Sequence, residues 1–330
     1  MRICPDTEGE WLAGNNLPFY VGGAEANVAT ALAIWGTPSA YLTAMPDNAM
    51  TRQLAAYLAA KKVDTSRVLY QGDRLGLYYL PKGKDLKNAG VIYDRAYSSF
   101  SEWQPGRTDW DAILKGIKWL HFSAISPALN TGVAKVCEEL LEAASARKDI
   151  RISVDLNYRA KLWQYGMAPV DVMPGLVKYC DLVMGNLWAA EKMLGIPVDN
   201  DLIASGKKED YLRHARQSSE RILEKFPKAQ IVAKTFRFDH GAGGINYYTA
   251  LYTGSTLYHS TEYFSDKILD KVGSGDCFMA GLIHGIYGGQ GWQDTLEFAT
   301  AAAYQKLFIP SDATDQEAAA IKKFMLSYAR

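Results

Sequence analysis

The sequence is poor in cysteine and has no charge excess. Only four cysteines occur in 330 residues, Cys4, Cys137, Cys180 and Cys277. No two stand at C-x-x-C spacing, which argues against a cysteine zinc site and fits a reducing compartment. Lys+Arg and Asp+Glu both number 36, so no basic surplus points to nucleic acid and no polybasic tail to a membrane surface. No apolar run approaches the ~20 residues of a membrane span. The opening MRICPDTEGEW lacks a basic start followed by an apolar stretch, so no signal peptide is expected and a cytoplasmic location is. His121, His214, His240, His259 and His284 show no ligand spacing, and no protein-built metal site is expected. Internal repeats and low-complexity linkers are absent too.

What is present is the composition of a globular enzyme, 48% hydrophobic and 22% charged. From about residue 115, short apolar runs alternate with amphipathic ones. Strands are expected at 118–124, 150–156, 180–185 and 230–235. Helices are expected at 131–147, 170–178 and 210–226. This alternation predicts an α/β fold with a mostly parallel sheet, and ligands at the carboxyl ends of its strands. Residues 68–100 read differently. Two β-rich runs, VLYQGDRLGLYYLP and AGVIYDRAYSSF, flank the polar turn PKGKDLKN and predict a hairpin set off from the main body. A second hairpin is expected at 245–260 with its turn at Thr253-Gly254. Helices at about 276–288, 294–308 and 315–328 close the chain.

Two glycine motifs carry chemistry. The later one is Asp270-Lys271-Val272-Gly273-Ser274-Gly275-Asp276, which opens a helix with Phe278, Leu282 and Ile286 on one face. Glycines at a helix N-terminus let N–H groups approach an anion, and the helix dipole favours negative charge there. Asp276 beside such a cradle is placed to take a proton from an attacking hydroxyl. The same residues alone would also serve as a tight turn and a helix cap. The earlier motif is Val21-Gly22-Gly23-Ala24-Glu25-Ala26-Asn27, ahead of a helix that carries Val28, Leu32 and Trp35 and ends at Gly36. The paired glycines allow a ligand against the backbone. Asn27 could hydrogen-bond a sugar hydroxyl, or simply its own turn. Cys277, next to Asp276, is expected to pack rather than react.

In their order and spacing the two motifs resemble the signatures of the ribokinase-like (phosphofructokinase-B) sugar kinases, over nearly the whole chain. The resemblance implies a ribokinase-like three-layer α/β sandwich in a single domain, 1–330, with a small β lid formed mainly by about 68–100 and part of 8–22. It implies ATP and Mg²⁺, with Asp276 as general base and the N–H groups of Gly273, Ser274 and Gly275 as the anion cradle. Gly22, Gly23 and Asn27 would meet the substrate. Within the family, Gly76-Leu77-Tyr78-Tyr79-Leu80, Val91-Ile92-Tyr93-Asp94-Arg95 and Asp155-Leu156-Asn157-Tyr158-Arg159 with Leu162-Trp163 look like 2-keto-3-deoxygluconate kinases. Tyr78, Tyr93, Arg95, Asn157 and Arg159 would then face a sugar acid, whose carboxylate an arginine fork matches. The same arginines could instead form ordinary ion pairs with Asp94 or Asp155.

The nucleotide side departs from the family pattern. Asn186 opens a segment that usually reads N-x-x-E. Here it reads Asn186-Leu187-Trp188-Ala189, with Glu191 two positions beyond the usual Glu. Lys234 to Gly244, including Gly243 and Gly244, stands where the family binds the nucleotide, and Thr300 stands where it usually has an adenine-side Asn. The family's opening buried strand with Gly-Glu has no counterpart ahead of Met1-Arg2-Ile3-Cys4-Pro5. This implies either a lost strand or a start placed downstream of the true one.

These residues lead to an expected ATP-dependent sugar-acid kinase acting on 2-keto-3-deoxygluconate. Alternatives are a fructokinase, ribokinase or nucleoside kinase of the same fold, or a degenerate non-catalytic sugar- or nucleotide-binding protein. A lid sheet with open edges is compatible with a homo-oligomer. A Rossmann oxidoreductase is disfavoured, because no G-x-G-x-x-G opens the first βα unit.

Overall fold

The computed structural model describes residues 1–5, 16–81, 90–204, 206–241 and 243–328. Its contacts divide the chain into two compact units. Unit 1 holds 1–102, 237–247 and 261–330, and unit 2 holds 103–236 and 248–260.

Unit 1 begins with β1 (Arg2–Ile3), β2 (Phe19–Tyr20), α1 (Ala24–Ile34), β3 (Ser39–Ala40), β4 (Thr43–Met45), α2 (Ala49–Ala60), β5 (Val63–Asp64), β6 (Val68–Tyr70), β7 (Leu77–Tyr79) and β8 (Ile92–Asp94). The expected hairpin exists, since β7 pairs antiparallel with β8. Most of its PKGKDLKN turn, like residues 8–15 of the expected lid, lies outside the described residues. The sheet order is β2-β1-β7-β8. Residues 68–70 do not join it: β6 pairs in parallel with β4, with α2 as crossover, because that register buries Val68 opposite Thr43. Alternation gives the four-stranded sheet two unlike faces. Tyr20, Arg2, Tyr78 and Tyr93 stand in one row across it. Phe19, Ile3, Tyr79 and Ile92 form the neighbouring row, on the opposite face, and its two end residues are exposed.

Unit 2 contains α3 (Trp110–Leu114), β9 (Trp119–Ser123), α4 (Thr131–Ser145), β10 (Arg151–Asp155), α5 (Pro169–Val177), β11 (Leu182–Met184), α6 (Leu187–Leu194), α7 (Asn200–Ile203) and α8 (Lys208–Lys225). Strands β12 (Ile231–His240) and β13 (Gly244–Thr253) begin or end in it, and β14 (Thr256–His259) follows. The strand order is β14-β13-β12-β11-β10-β9, and β9 to β12 are parallel. Their near-continuous apolar runs suit strands covered on both faces. The β13–β14 hairpin turns at Gly254-Ser255, both at positive φ (55° and 70°), the geometry of a two-residue turn that follows strand twist.

The C-terminal part of unit 1 adds β15 (Tyr263–Ser265), α9 (Ser274–Tyr287), α10 (Trp292–Lys306) and α11 (Ala318–Tyr328). Helix α9 packs against both α1 and α10. Two of its glycines permit this: a Cβ on Gly281 would overlap Ala299, and one on Gly285 would overlap Thr295. Five buried alanines on α1 provide a similarly smooth surface.

Lys234 is the unexpected element of the unit 2 core. It lies on β12, is 1% exposed, and its Nζ has no hydrogen-bond partner among the described residues. Burial lowers its pKa from 10.5 to about 7. His214, also buried, is lowered by burial and then by Lys234. The sign follows from linkage: between pH 7 and 10.5 the unfolded chain binds this proton and the folded chain does not, so the Lys234 term favours folding more as pH rises. Lys234→Met is expected to raise stability at pH 7 by roughly 1–4 kcal/mol. The advantage should shrink toward pH 10. Thermal melts of both proteins across that range check this; a variant that melts lower at pH 7 would contradict it.

Candidate active site

Helices α1 and α9 begin alike. Gly23 caps α1 and Gly273 caps α9, the latter left-handed at φ 77°, and neither helix start has a side-chain cap. By contrast Asn48, Asn130 and Asn186 cap α2, α4 and α6 with their side chains. The first-turn N–H groups of α9 therefore have no capping side chain, as an anion cradle requires. One glycine of each motif, Gly22 and Gly273, is forced by one neighbour. A Cβ on Gly22 would overlap the Asp312 carboxylate, and one on Gly273 would overlap the Asp312 carbonyl oxygen.

The two motifs meet through their side chains. Asn27 Nδ2 donates to Asp276 Oδ2 at 2.7 Å, 249 residues away in sequence, with both side chains buried. The contact fixes the orientation of the candidate base. Ser274 is buried at the helix start, where its Oγ donates to the Lys271 carbonyl and accepts from Arg237 Nη1 at 3.2 Å. Lys271 Nζ pairs with Asp239 at 2.6 Å. Two cationic side chains thus border the cradle. Cys277 is buried, and its thiol is pushed up to about 12 by burial, which suits packing and not nucleophilic chemistry.

Beneath this surface lies a buried charge cluster that the sequence reading missed. Arg2 Nη2 donates to Asp270 Oδ2 at 2.6 Å, and its Nε stands 2.9 Å from Asp312 Oδ1, off hydrogen-bond alignment. All three side chains are fully buried. Burial works against the Arg2 charge, but Asp312 and Asp270 outweigh it and raise its pKa. Burial raises the Asp312 pKa against the opposing pull of Arg2. Tyr78 Oη donates to Asp312 in a short hydrogen bond. No local pattern marked Arg2 or Asp312, because both act across the fold. A charged residue in an apolar strand-like start was the only signal for Arg2.

Of the expected sugar-acid residues, Tyr78, Tyr93 and Arg95 come together. The Arg95 guanidinium lies 4.9 Å from the Tyr93 ring centre and 5.6 Å from that of Tyr78. Tyr78 offers its ring face there, since its hydroxyl is taken by Asp312. Asp94 pairs with Arg74 at 2.5 Å. Tyr78, Tyr93 and Val272 share one apolar cluster, which ties the sheet to the loop before α9.

In unit 2, Asn157 follows β10 at φ 24°, an uncommon conformation for a non-glycine, with its N–H donating to Asp155 Oδ1 at 3.0 Å. Arg159 Nη1 donates to the Tyr158 carbonyl at 3.0 Å, and its buried Nε has no hydrogen-bond partner among the described residues. Asn186 accepts from Ala189 N at 2.8 Å as the α6 cap. Glu191 accepts from Val198 N, a local structural bond.

Several residues expected on the nucleotide side are held in packing positions. Lys234 points into the core described above, so a ligand contact would require that core to open. Thr300 is buried in α10 and donates to the Leu296 carbonyl at 2.6 Å. A Cβ on Gly244 would meet the Ser265 carbonyl oxygen at 2.5 Å, so this glycine is needed for strand packing. Gly243 has open space around it. Among the described residues, no group of three or more His, Cys, Asp or Glu side chains could hold a metal ion.

The pfkB family carbohydrate kinase profile matches residues 2–318. A 2-dehydro-3-deoxygalactonokinase of Haloferax volcanii is 26% identical over 323 residues, covering 94% of this chain and 89% of that protein. The crystal structure of 2-dehydro-3-deoxygluconokinase from Thermotoga maritima is 32% identical, with TM-score 0.88 over 98% of this chain and 96% of that one. A PfkB family carbohydrate kinase structure from Listeria grayi is also 32% identical, with TM-score 0.84 over 99% and 97% of the two chains. The fold is ribokinase-like α/β, and the chain belongs to the pfkB family of carbohydrate kinases.

Proposed function

We propose that this kinase transfers the γ-phosphoryl group of ATP to the terminal hydroxyl of 2-keto-3-deoxygluconate. The observation that carries the reading is the Asn27–Asp276 hydrogen bond at the mouth of the uncapped α9 start. It holds a carboxylate next to a cradle for a transferring phosphoryl group.

Asp276 takes the proton of the attacking hydroxyl while Asn27 fixes the carboxylate's orientation. The first-turn N–H groups of α9, from Ser274 onward, stabilise charge on the transferring group, and Arg237 and Lys271 add positive charge beside them. Mg²⁺ needs no protein-built cage, since it commonly binds through one or two carboxylates and the substrate phosphates. Asp239, beside Lys271, is the carboxylate of this region that would serve it, and when bound it would neutralise phosphate charge. The sugar's carboxylate is assigned to Arg95, whose stacking on Tyr78 and Tyr93 restricts the guanidinium plane. Arg159, in unit 2, is the second arginine that the resemblance to sugar-acid kinases implies.

Asp276→Asn keeps the shape and removes the proton acceptor. It is expected to lower kcat by about 10²–10⁴-fold, with ATP binding retained in calorimetry. A near-normal kcat would refute the assignment of the base.

The substrate class is tested by comparing kcat/KM for 2-keto-3-deoxygluconate and fructose in wild type, Arg95→Ala and Arg159→Ala. Charge-assisted bonds contribute about 1.5–3 kcal/mol each. Loss of one should cut use of the sugar acid by roughly 10- to 150-fold, and affect fructose far less. An equal fall for both sugars would make the arginines structural. A wild type that prefers fructose would replace the sugar-acid reading with a neutral-sugar kinase.

A further inference from the structure

One buried cation takes no part in the chemistry above. Lys306, the last residue of α10, is fully buried. Its Nζ donates to the Ile309 carbonyl at 3.1 Å, one bond for a group with three donors. Its stem lies against the back of the phosphate cradle: a Cβ on Gly273 would stand 3.4 Å from Lys306 Cε. The residues just beyond it brace the same loop. Leu269 and Asp270 both donate their N–H to the Leu307 carbonyl, at 2.8 and 3.1 Å. A methionine would fill this volume without burying an ammonium, so packing alone does not account for a lysine here.

The local charges give it a purpose. Asp270 and Asp312 are both buried against the single cation Arg2. Lys306 is the second cation of this group: burial lowers its pKa, and Asp270, Cys277 and Asp312 offset that only in part. With it the cluster of Arg2, Lys306, Asp270 and Asp312 is neutral; without it, a net negative charge would sit directly behind a loop whose front must receive phosphate. In a low-dielectric interior such a charge is poorly screened.

We propose that Lys306 is a positioning residue for phosphoryl transfer, a built-in cation behind the Gly273–Asp276 turn that cancels the carboxylates beneath it and keeps the cradle attractive to anions. This rests on reading the α9 start as the phosphoryl site. A wild type with no ATP-dependent activity on any sugar acid or neutral sugar would count against that reading, and the nucleotide-binding arm below still tests Lys306 by itself.

Two variants separate charge from volume. Lys306→Met keeps the volume and removes the charge; Lys306→Ala leaves room for a small cation. Lys306→Met is expected to lower kcat by roughly 10- to 100-fold, less than the loss of a directly touching donor, with the sugar KM within about threefold of wild type. Calorimetry with a non-hydrolysable ATP analogue should show binding weakened by about three- to tenfold. In Lys306→Ala, ammonium chloride should restore part of both kcat and analogue binding, and tetramethylammonium chloride at equal ionic strength should restore neither. The Ala arm decides the matter even if Lys306→Met does not fold. Unchanged kcat and analogue affinity in Lys306→Met, or no ammonium-specific recovery in Lys306→Ala, overturns the proposal.

Discussion

Unit 1 is organised around the Asp312 carboxylate. It is fully buried and is approached by the Arg2 guanidinium, the Tyr78 hydroxyl and the backbone of Gly22, while its own carbonyl oxygen closes on Gly273. Each contact demands something of the sequence. Two glycines are required because any side chain would overlap Asp312. A cation is required because a buried carboxylate without one is costly. A tyrosine on β7 is required because its hydroxyl satisfies the acid while its ring faces Arg95. The starts of two helices and one sheet are thereby referred to a single residue near the end of the chain.

The chemistry inherits that arrangement. Seated on the same neighbour, α1 and α9 present their first turns close enough for Asn27 to reach Asp276. The glycines that allow close approach to Asp312 also leave α9 without a capping side chain, so a packing requirement and an anion site coincide. The cations are graded by burial: Arg2 and Lys306 are enclosed, while Arg237 and Lys271 stand at the rim beside Ser274.

Much of this was legible in the sequence. The alternation beyond residue 115 located β9 to β12 and α4, α5 and α8 because parallel strands and their crossovers have distinct periods. The two glycine motifs marked the helix starts that meet. The extent of the small sheet was not legible: Val68–Tyr70 is β-rich, but its partner is set by a crossover that local propensity cannot see. Arg2, Asp312 and Lys306 were invisible because their partners lie far away in sequence. Asn186, Thr300 and Gly244 were expected on the nucleotide side by resemblance, and the fold also employs them as a cap, a helix back-bond and a close strand approach. Such residue types serve ligands and backbone alike, and the local sequence does not show the backbone use.

The central claim is that the Asn27–Asp276 site phosphorylates a sugar acid. The most direct measurement is ADP release by the wild-type protein with ATP and Mg²⁺ across 2-keto-3-deoxygluconate, 2-keto-3-deoxygalactonate, fructose and ribose, with the product identified by phosphorus NMR. The account predicts preferential turnover of 2-keto-3-deoxygluconate and a phosphate ester on its terminal carbon. Turnover confined to the neutral sugars, or no ADP release with any of the four, would contradict it.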